Sequence, residues 1–206
     1  MRNKLIFFND RFGLTRKAIR GEITFARFPI DENPHDQYLP YTPGQVVMAG
    51  MNYKDLLHFS ERTLAIMTDR NGLLKKYQKE SYGEGWEDKM KVNADLMPFR
   101  IRIKDTRVER LQDISEREIL SSGVIANVNR SMYALRDETI DLMQVKIYAT
   151  AREAYAALID DTYGKGTWER NPAVIAVEFE SLDAELSYPK NPLTEEQRKR
   201  LSDKKD

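Results

Sequence analysis

The chain contains no cysteine and only two histidines among its 206 residues. The lack of cysteine excludes disulfide bonds, thiolate metal sites and a cysteine nucleophile. His35 and His58 lie far apart in sequence, which argues against a histidine-rich metal site. We interpret each as a surface or half-buried histidine, and we expect neither a metal nor a cofactor.

The sequence also lacks a long apolar run. The first segment, MRNKLIFFND, has too short an apolar stretch for a signal peptide, and no later segment approaches the length that crosses a bilayer. We therefore predict a cytoplasmic protein with no membrane partner.

Neither sign of charge is in excess, because 33 Lys and Arg residues balance 33 Asp and Glu residues. This balance argues against a protein that holds long nucleic acid mainly by neutralising phosphates, although a local basic patch remains possible. The length and the 41% of hydrophobic residues suit one domain with a substantial core.

The apolar patterns predict a mixture of strands and short helices. Residues 54–90 carry leucines and methionines at roughly helical spacing, so we interpret them as a helical insertion between strands. Because strands do not alternate with crossover helices, the predicted fold class is α+β, a small mixed β-barrel with surrounding short helices. The predicted strands are 4–9, 22–28, 45–51, 97–111 and 172–180, and the predicted helices are 15–20, 115–123, 131–144 and 150–161.

Residues 97–111 give the clearest strand pattern. Apolar residues alternate with cations, which places Arg100, Arg102 and Lys104 in a row on one face. Such a row could follow a phosphate backbone, or it could be the solvated face of a half-buried strand. The pattern changes phase at Asp105–Thr106, where we predict a β-bulge.

Two helix starts carry capping boxes, Ser115 with Glu118 and Thr150 with Glu153. In each pair the hydroxyl and the carboxylate can accept hydrogen bonds from the other residue's backbone N–H. We expect Gly123 to end the first of these helices.

The segment KAIRGEITFARFPI predicts a junction between a helix and a strand. We expect Thr15 to cap the helix and Gly21 to end it in a left-handed conformation. Alternation along the strand then turns Arg27 outward. Arg20 and Arg27 flank the junction, either as an anion clamp or as a solvated charged edge.

Three aromatic residues, Tyr53, Trp86 and Trp168, lie in or beside predicted loops. Aromatic rings in such positions can stack on a nucleic-acid base. The alternative is that they cap the ends of the barrel.

Four segments come in the order seen in ASCH-domain proteins, which are PUA-like barrels of bacteria and phages. The resemblance covers most of residues 1–182 and leaves 183–206 as a polar tail. It implies a compact barrel whose cleft, beside the first helix, binds RNA or a nucleotide-like ligand. Some members are similar to ribonucleases or to amidohydrolases that act on acetylated cytidine. The segments are KAIRGEITFARFPI, PYTPGQVVMAGMNYKD, ADLMPFRIRIKDTRVERLQDISEREI and AYAALIDDTYGKGTWERNPAVIAVEFE.

The family motif G-x-K-x-x-x-x-R, often G-x-K-T-x-T-R-R, corresponds here to GEITFARF. The lysine position is Ile23, the second threonine position is Ala26 and the last arginine position is Phe28. Isoleucine cannot donate a proton and alanine cannot activate water, so the resemblance does not imply hydrolysis by the family route. The matching positions are Gly21, Thr24 and Arg27.

We therefore predict a non-catalytic module that binds RNA, a nucleotide or a nucleoside-like ligand. Two alternatives are a hydrolase in which Lys17 or Lys54 replaces the missing lysine, and an interaction module acting through the insertion. If Arg27 instead faces the cleft, Ile23 makes the pocket more apolar, and an uncharged ring held at one edge by Arg27 suits it better than a phosphate chain. The resemblance and the aromatic positions together place Gly21, Thr24 and Arg27 on the cleft floor, with Asn52, Tyr53 and Trp168 on its walls.

Overall fold

The computed structural model describes residues 3–30, 40–56, 84–136 and 145–184. Most of the predicted insertion and nearly all of the predicted polar tail lie outside these residues. The predicted helix at 131–144 is described only as far as residue 136.

In the part of the chain that the structure describes, eight strands form two separate sheets. The larger sheet has the order β1-β3-β4-β8-β2; β1 and β3 are parallel, and the other neighbours are antiparallel. The smaller sheet is antiparallel, with the order β5-β6-β7. In chain order the strands are β1 (Leu5–Ile6), β2 (Phe25–Pro29), β3 (Val46–Ala49), β4 (Arg100–Arg110), β5 (Ile125–Ala126), β6 (Tyr133–Arg136), β7 (Val145–Tyr148) and β8 (Ala173–Ser181).

Within the described residues, five α-helices and three 3₁₀ turns connect or cover the strands. The capping boxes predicted at the starts of α3 and α4 are both present. None of the helices in the described part of the chain is long and apolar enough to span a membrane. The helices are α1 (Leu14–Ile19), α2 (Tyr53–Leu56), α3 (Glu116–Leu120), α4 (Ala151–Tyr163) and α5 (Thr167–Arg170), and the turns are Lys89–Lys91, Ala94–Leu96 and Leu111–Asp113.

The predicted α+β class is confirmed, and the larger sheet, predicted to form a small mixed β-barrel, is not closed. The larger sheet ends at β1 on one side and at β2 on the other, and within the described residues these two strands do not pair. Strand β1 pairs with β3 and strand β2 pairs with β8. Because no hydrogen bonds join β1 to β2 among the described residues, the larger sheet is open.

Two local predictions are also corrected. Tyr133 and Leu135 are buried and alternate with exposed or half-buried neighbours, so residues 133–136 form strand β6 instead of a helix. Helix α1 begins at Leu14, after Gly13 in the left-handed conformation, and Thr15 does not cap it. The Thr15 hydroxyl instead donates to Asp10 Oδ1 at 2.6 Å.

The bulge predicted in β4 is confirmed, and it shifts the pairing register between β4 and β8. Ile103 pairs with Phe179 and Asp105 pairs with Glu178, so Lys104 is the extra residue. Before the bulge Ile103 is fully buried in the core, as its partner Phe179 is. Beyond the bulge the shifted register determines which β4 side chains lie beside β2.

Candidate functional site

A cluster of two arginines and two glutamates lies where β2, β8 and β4 run side by side. Arg27 on β2 and Arg107 on β4 both pair with Ala176 on β8. Residues in register on adjacent strands share a face, and Glu109 follows two positions after Arg107 on that face. Because the central residue is a small alanine, the two arginine side chains can meet above it.

Each carboxylate bridges both guanidinium groups. Glu109 Oε1 accepts from Arg27 Nε at 2.8 Å and from Arg27 Nη2 at 2.6 Å, and Glu109 Oε2 accepts from Arg107 Nε at 2.7 Å. Glu118 Oε2 accepts from Arg27 Nη2 at 3.1 Å, and Glu118 Oε1 accepts from Arg107 Nη2. The two cations and two anions balance in formal charge, and their hydrogen bonds form a closed ring.

The capping box at the start of helix α3 holds the Glu118 side chain in place within this cluster. Glu118 Oε2 accepts from the Ser115 backbone N–H and from the Ser115 hydroxyl, both at 2.9 Å. Burial alone would raise the pKa of Glu118, but these hydrogen bonds, the one from Arg107 and the charge of Arg27 together lower it to about 2. Glu118 is therefore ionised over the whole neutral range.

The predicted outward orientation of Arg27 is wrong, because its side chain is 0% exposed. A buried guanidinium is tolerated only where carboxylates compensate for its lost hydration. Glu109 and Glu118 provide this compensation, and both come from parts of the chain remote from the GEITFARF segment. The Phe25 ring also lies 5.8 Å from the Arg27 guanidinium carbon and 5.6 Å from that of Arg107.

A small cavity of about 30 Å³ lies beside the cluster, between β2 and α4. This volume has room for about two water-sized groups. Its walls are mostly apolar, and the partly exposed members of its lining include Phe25, Phe28 and Tyr163. The other lining residues are Phe8, Asn9, Leu14, Ile23, Ala26, Arg27, Ser122, Tyr155, Leu158, Ile159 and Thr162.

Two buried polar atoms on residues of this lining, Arg27 Nη1 and Thr162 Oγ1, make no close hydrogen bond among the described residues, although the Arg27 side chain also interacts with the Tyr155 hydroxyl. Such atoms are rare because a buried polar group without a partner destabilises the fold. Nη1 can only donate, whereas the threonine hydroxyl can donate and accept. The cavity therefore combines mostly apolar walls with a few polar residues, among them Arg27 and Thr162.

Two tyrosines close the α4 side of the cavity. Burial raises the pKa of Tyr155 to about 12, and the nearby Arg27 offsets only part of that rise. Burial also raises the pKa of Tyr163, whose hydroxyl donates to the Arg27 backbone oxygen at 2.8 Å. Both tyrosines remain protonated at neutral pH, so neither acts as a base there.

Of the three residues predicted for the cleft floor, one lines the cavity and two do not. Arg27 lines the cavity, as do Ile23 and Ala26 at the family's lysine and threonine positions. Gly21 has the expected left-handed conformation, with φ of 71°, but it is exposed and lies outside the cavity lining. Thr24 is also outside the lining, and its backbone N–H donates to Ser121 O at 2.9 Å.

The three residues predicted for the cleft walls do not line the cavity either. Asn52 Oδ1 accepts from the Asp55 backbone N–H at 2.7 Å, at the start of α2. The buried Tyr53 hydroxyl accepts from the Asn93 backbone N–H at 2.9 Å. The Trp168 ring packs edge-on against Tyr155 with 6.0 Å between ring centres, so its contact with the site is indirect.

The cationic row on β4 is exposed as predicted, but carboxylates accompany it. Arg100 binds Asp183 through Nη2 at 2.8 Å and Nε at 3.2 Å. Arg102 and Lys104 both contact Glu180, at 3.0 and 3.2 Å. These contacts reduce the positive charge that a phosphate backbone would meet.

The lysines considered as substitutes for the missing lysine do not line the cavity. Lys17 is buried, and its Nζ donates to Phe12 O at 2.9 Å. Lys54 is exposed on α2. Within the described ranges no group of three or more histidine or carboxylate side chains is placed to hold a metal ion.

The partners of Arg27 were not predicted from the sequence. Glu109 is 82 positions from Arg27 and Glu118 is 91 positions away. The sequence predicted Glu118 as part of a capping box, and that local pattern gave no sign that its carboxylate also binds Arg27 and Arg107. Thr162 was missed as well, since one threonine near the end of a helix carries no distinguishing pattern.

No known family model matches the chain, and no curated protein matches it. The structure is similar to the crystal structure of protein EF3133 from Enterococcus faecalis V583, whose description names the family model DUF984. The TM-score is 0.41 and the sequence identity is 9%, over 88% of this chain and 81% of that chain. A likeness of this degree supports no inference about function.

Proposed function

We propose that the chain binds a nucleoside-like ring, free or as a base of RNA, at the cavity between β2 and α4. The observation that carries the proposal is the cavity itself, in which apolar and partly exposed aromatic residues lie beside Arg27. The ring of a ligand would cover this apolar surface, and its polar edge would meet the polar residues of the lining.

The charge balance favours an uncharged ligand. Arg27 and Arg107 are already compensated by Glu109 and Glu118. A phosphate would therefore meet little net positive charge at the cluster and would bring the two carboxylates close to its own charge. The carboxylates that contact the cationic row of β4 also make that row less suited to binding a phosphate backbone.

The size of the cavity indicates how such a ring would sit. A volume of about 30 Å³ takes a polar edge of the ring but not the whole ring. The rest would lie against Phe25, Phe28 and Tyr163, the partly exposed aromatic residues of the lining. Stacking of bases on such residues is typical of proteins that recognise single bases.

The lining favours binding over hydrolysis. Among the described residues it contains no lysine, histidine or carboxylate side chain. The Arg27 guanidinium can donate hydrogen bonds but not accept them, and the two tyrosines stay protonated near neutral pH. The lining thus offers donors for recognition and no group suited to general-base catalysis.

The proposal is tested by calorimetric titration with the common ribonucleosides and with short single-stranded RNAs. The variant Ala26→Leu puts a larger side chain into the lining and is expected to weaken binding at least about tenfold. Ala126→Leu on β5 is the matched control, since Ala126 is half-buried and outside the lining. Circular dichroism verifies that both variants are folded.

Saturable binding that is lost in Ala26→Leu and kept in Ala126→Leu supports the site. Equal binding by Ala26→Leu and the unmodified protein would place the ligand elsewhere. Lack of binding by the unmodified protein to every nucleoside and RNA would reject the proposed function.

A further inference from the structure

We propose that the Asn9 carboxamide is the hydrogen-bond donor that reads the exocyclic group of the bound ring, so that the protein prefers an oxygen there to an amino group. This inference rests on the proposed function and names the residue that gives the cavity its ligand preference. Asn9 lies in the segment between β1 and α1 and belongs to the cavity lining.

Asn9 differs from the other polar residues of the lining in what it can offer a ligand. It is half-buried, so a ring that enters the cavity can contact its side chain. The hydroxyl of the exposed Tyr163 already donates its hydrogen to the Arg27 backbone oxygen at 2.8 Å. The other polar groups of the lining are buried, and they belong to Arg27, Ser122, Tyr155 and Thr162.

The orientation of the Asn9 amide follows from its hydrogen bond to the chain. Asn9 Oδ1 accepts from the Arg11 backbone N–H at 2.8 Å, which identifies this atom as the oxygen of the amide. The Asn9 backbone oxygen accepts from the Leu14 N–H at 3.1 Å, so the residue is held through its backbone as well. The amide nitrogen Nδ2 carries two hydrogens and donates to none of the described residues. Asn9 therefore presents a donor to the ligand, while its acceptor is occupied.

A donor distinguishes an oxygen from an amino group at the same ring position. A carbonyl oxygen can accept from Nδ2, whereas an amino group places its own hydrogens against those of Nδ2 and loses its hydrogen bonds to water. We therefore expect the ring with the oxygen to bind about fivefold more tightly, or better, than its amino counterpart.

The variant Asn9→Asp exchanges the donor for an acceptor at nearly the same size. One carboxylate oxygen still accepts from the Arg11 N–H, and the other replaces the donating nitrogen. The preference should consequently move towards the ring with the amino group. Asn93→Asp is the matched control, because Asn93 Oδ1 accepts from the Asp95 backbone N–H at 3.0 Å in the same way, and Asn93 is exposed and outside the lining.

The test compares nucleosides in which an oxygen and an amino group exchange places. Inosine is paired with adenosine at the 6-position, and uridine is paired with cytidine at the 4-position. All four are titrated into the unmodified protein and into both variants. The ratio of the two affinities in a pair is compared within each variant, so a change in the folded fraction does not affect it.

The expected result is a preference for the oxo member of at least one pair that falls several-fold or reverses in Asn9→Asp and persists in Asn93→Asp. Equal affinities, or a preference for the amino members, in the unmodified protein would overturn the role of Asn9 and leave the proposed function standing. An unchanged ratio in Asn9→Asp, or equal loss of both members in the folded variant, would do the same. Absence of binding of the unmodified protein to all four nucleosides and to RNA would overturn both.

Discussion

Glu118 Oε2 lies 3.1 Å from Nη2 of the fully buried Arg27, although the two residues are 91 positions apart in the chain. One belongs to helix α3 and the other to the edge strand β2 of the larger sheet. Glu109 on β4 binds the same guanidinium, so Arg27 links three elements. The Arg27 guanidinium is consequently held rigidly beside the mostly apolar cavity.

Replacing Arg27 should destabilise the fold far more than replacing an exposed arginine of the same sheet. Arg27→Met leaves two partly buried carboxylates without one of their cations, which costs about 3–5 kcal/mol. Arg102 is the matched control, because its side chain is 48% exposed and its contact with Glu180 is a surface pair. Arg102→Met is expected to cost about 0–1 kcal/mol. Urea unfolding measures both, and comparable losses would contradict the proposed importance of the buried cluster.

The ionised state of Glu118 predicts a specific loss of stability in acid. Its pKa in the folded protein is about 2, against an ordinary value of 4.5. Because the folded value is the lower one, the stabilisation is fully present above about pH 4.5 and is lost as the pH falls towards 2. The shift corresponds to a contribution on the order of 3 kcal/mol.

Glu118→Gln removes this titration, so its free energy of unfolding should decrease less between pH 5 and pH 2.5 than that of the unmodified protein. Chemical unfolding at a series of pH values gives the two curves. Parallel curves would show that Glu118 does not titrate with the depressed pKa.

The sequence predicted the features that depend on a few neighbouring residues. The capping box of Thr150 with Glu153 and the bulge near Asp105 both follow from local chemistry, and both are present. The left-handed Gly21 belongs to the same class, because a helix that stops before a strand needs such a residue.

The features that the sequence did not predict depend on which strands become neighbours. The pairing of both Arg27 and Arg107 with Ala176 requires a register that no short segment encodes. The small mixed β-barrel was predicted from the number of strands and from a resemblance, whereas closure depends on pairing between the two edge strands. Arg27 was assigned outward because alternation along the strand was expected to turn Ala26 and Phe28 inward, and its buried partners lay too far away in sequence to be recognised.

Ala176 should not tolerate a large side chain. It is fully buried and lies in register between Arg27 and Arg107 on the two neighbouring strands, so their side chains share its face of the sheet. Ala176→Leu would force them away from Glu109 and is expected to cost at least about 1–3 kcal/mol. Ala173→Leu on the same strand is the control, because Ala173 is half-buried at the strand end. If unfolding in urea gave equal losses for the two variants, close packing above Ala176 would be disproved.

Gly123 and Gly44 form a matched pair that separates backbone strain from crowding. Both have positive φ, 110° and 83°, so alanine is strained at either position. A Cβ on Gly44 would meet nothing within 4 Å, whereas a Cβ on Gly123 would lie 2.8 Å from Cδ2 of Leu14, a residue of the cavity lining. Gly44→Ala is therefore expected to cost about 1 kcal/mol from strain alone. Gly123→Ala should cost a further 1–3 kcal/mol, roughly, because Leu14 must move within a packed core. Urea unfolding of both variants gives the difference, and equal losses would mean that Leu14 adjusts without cost.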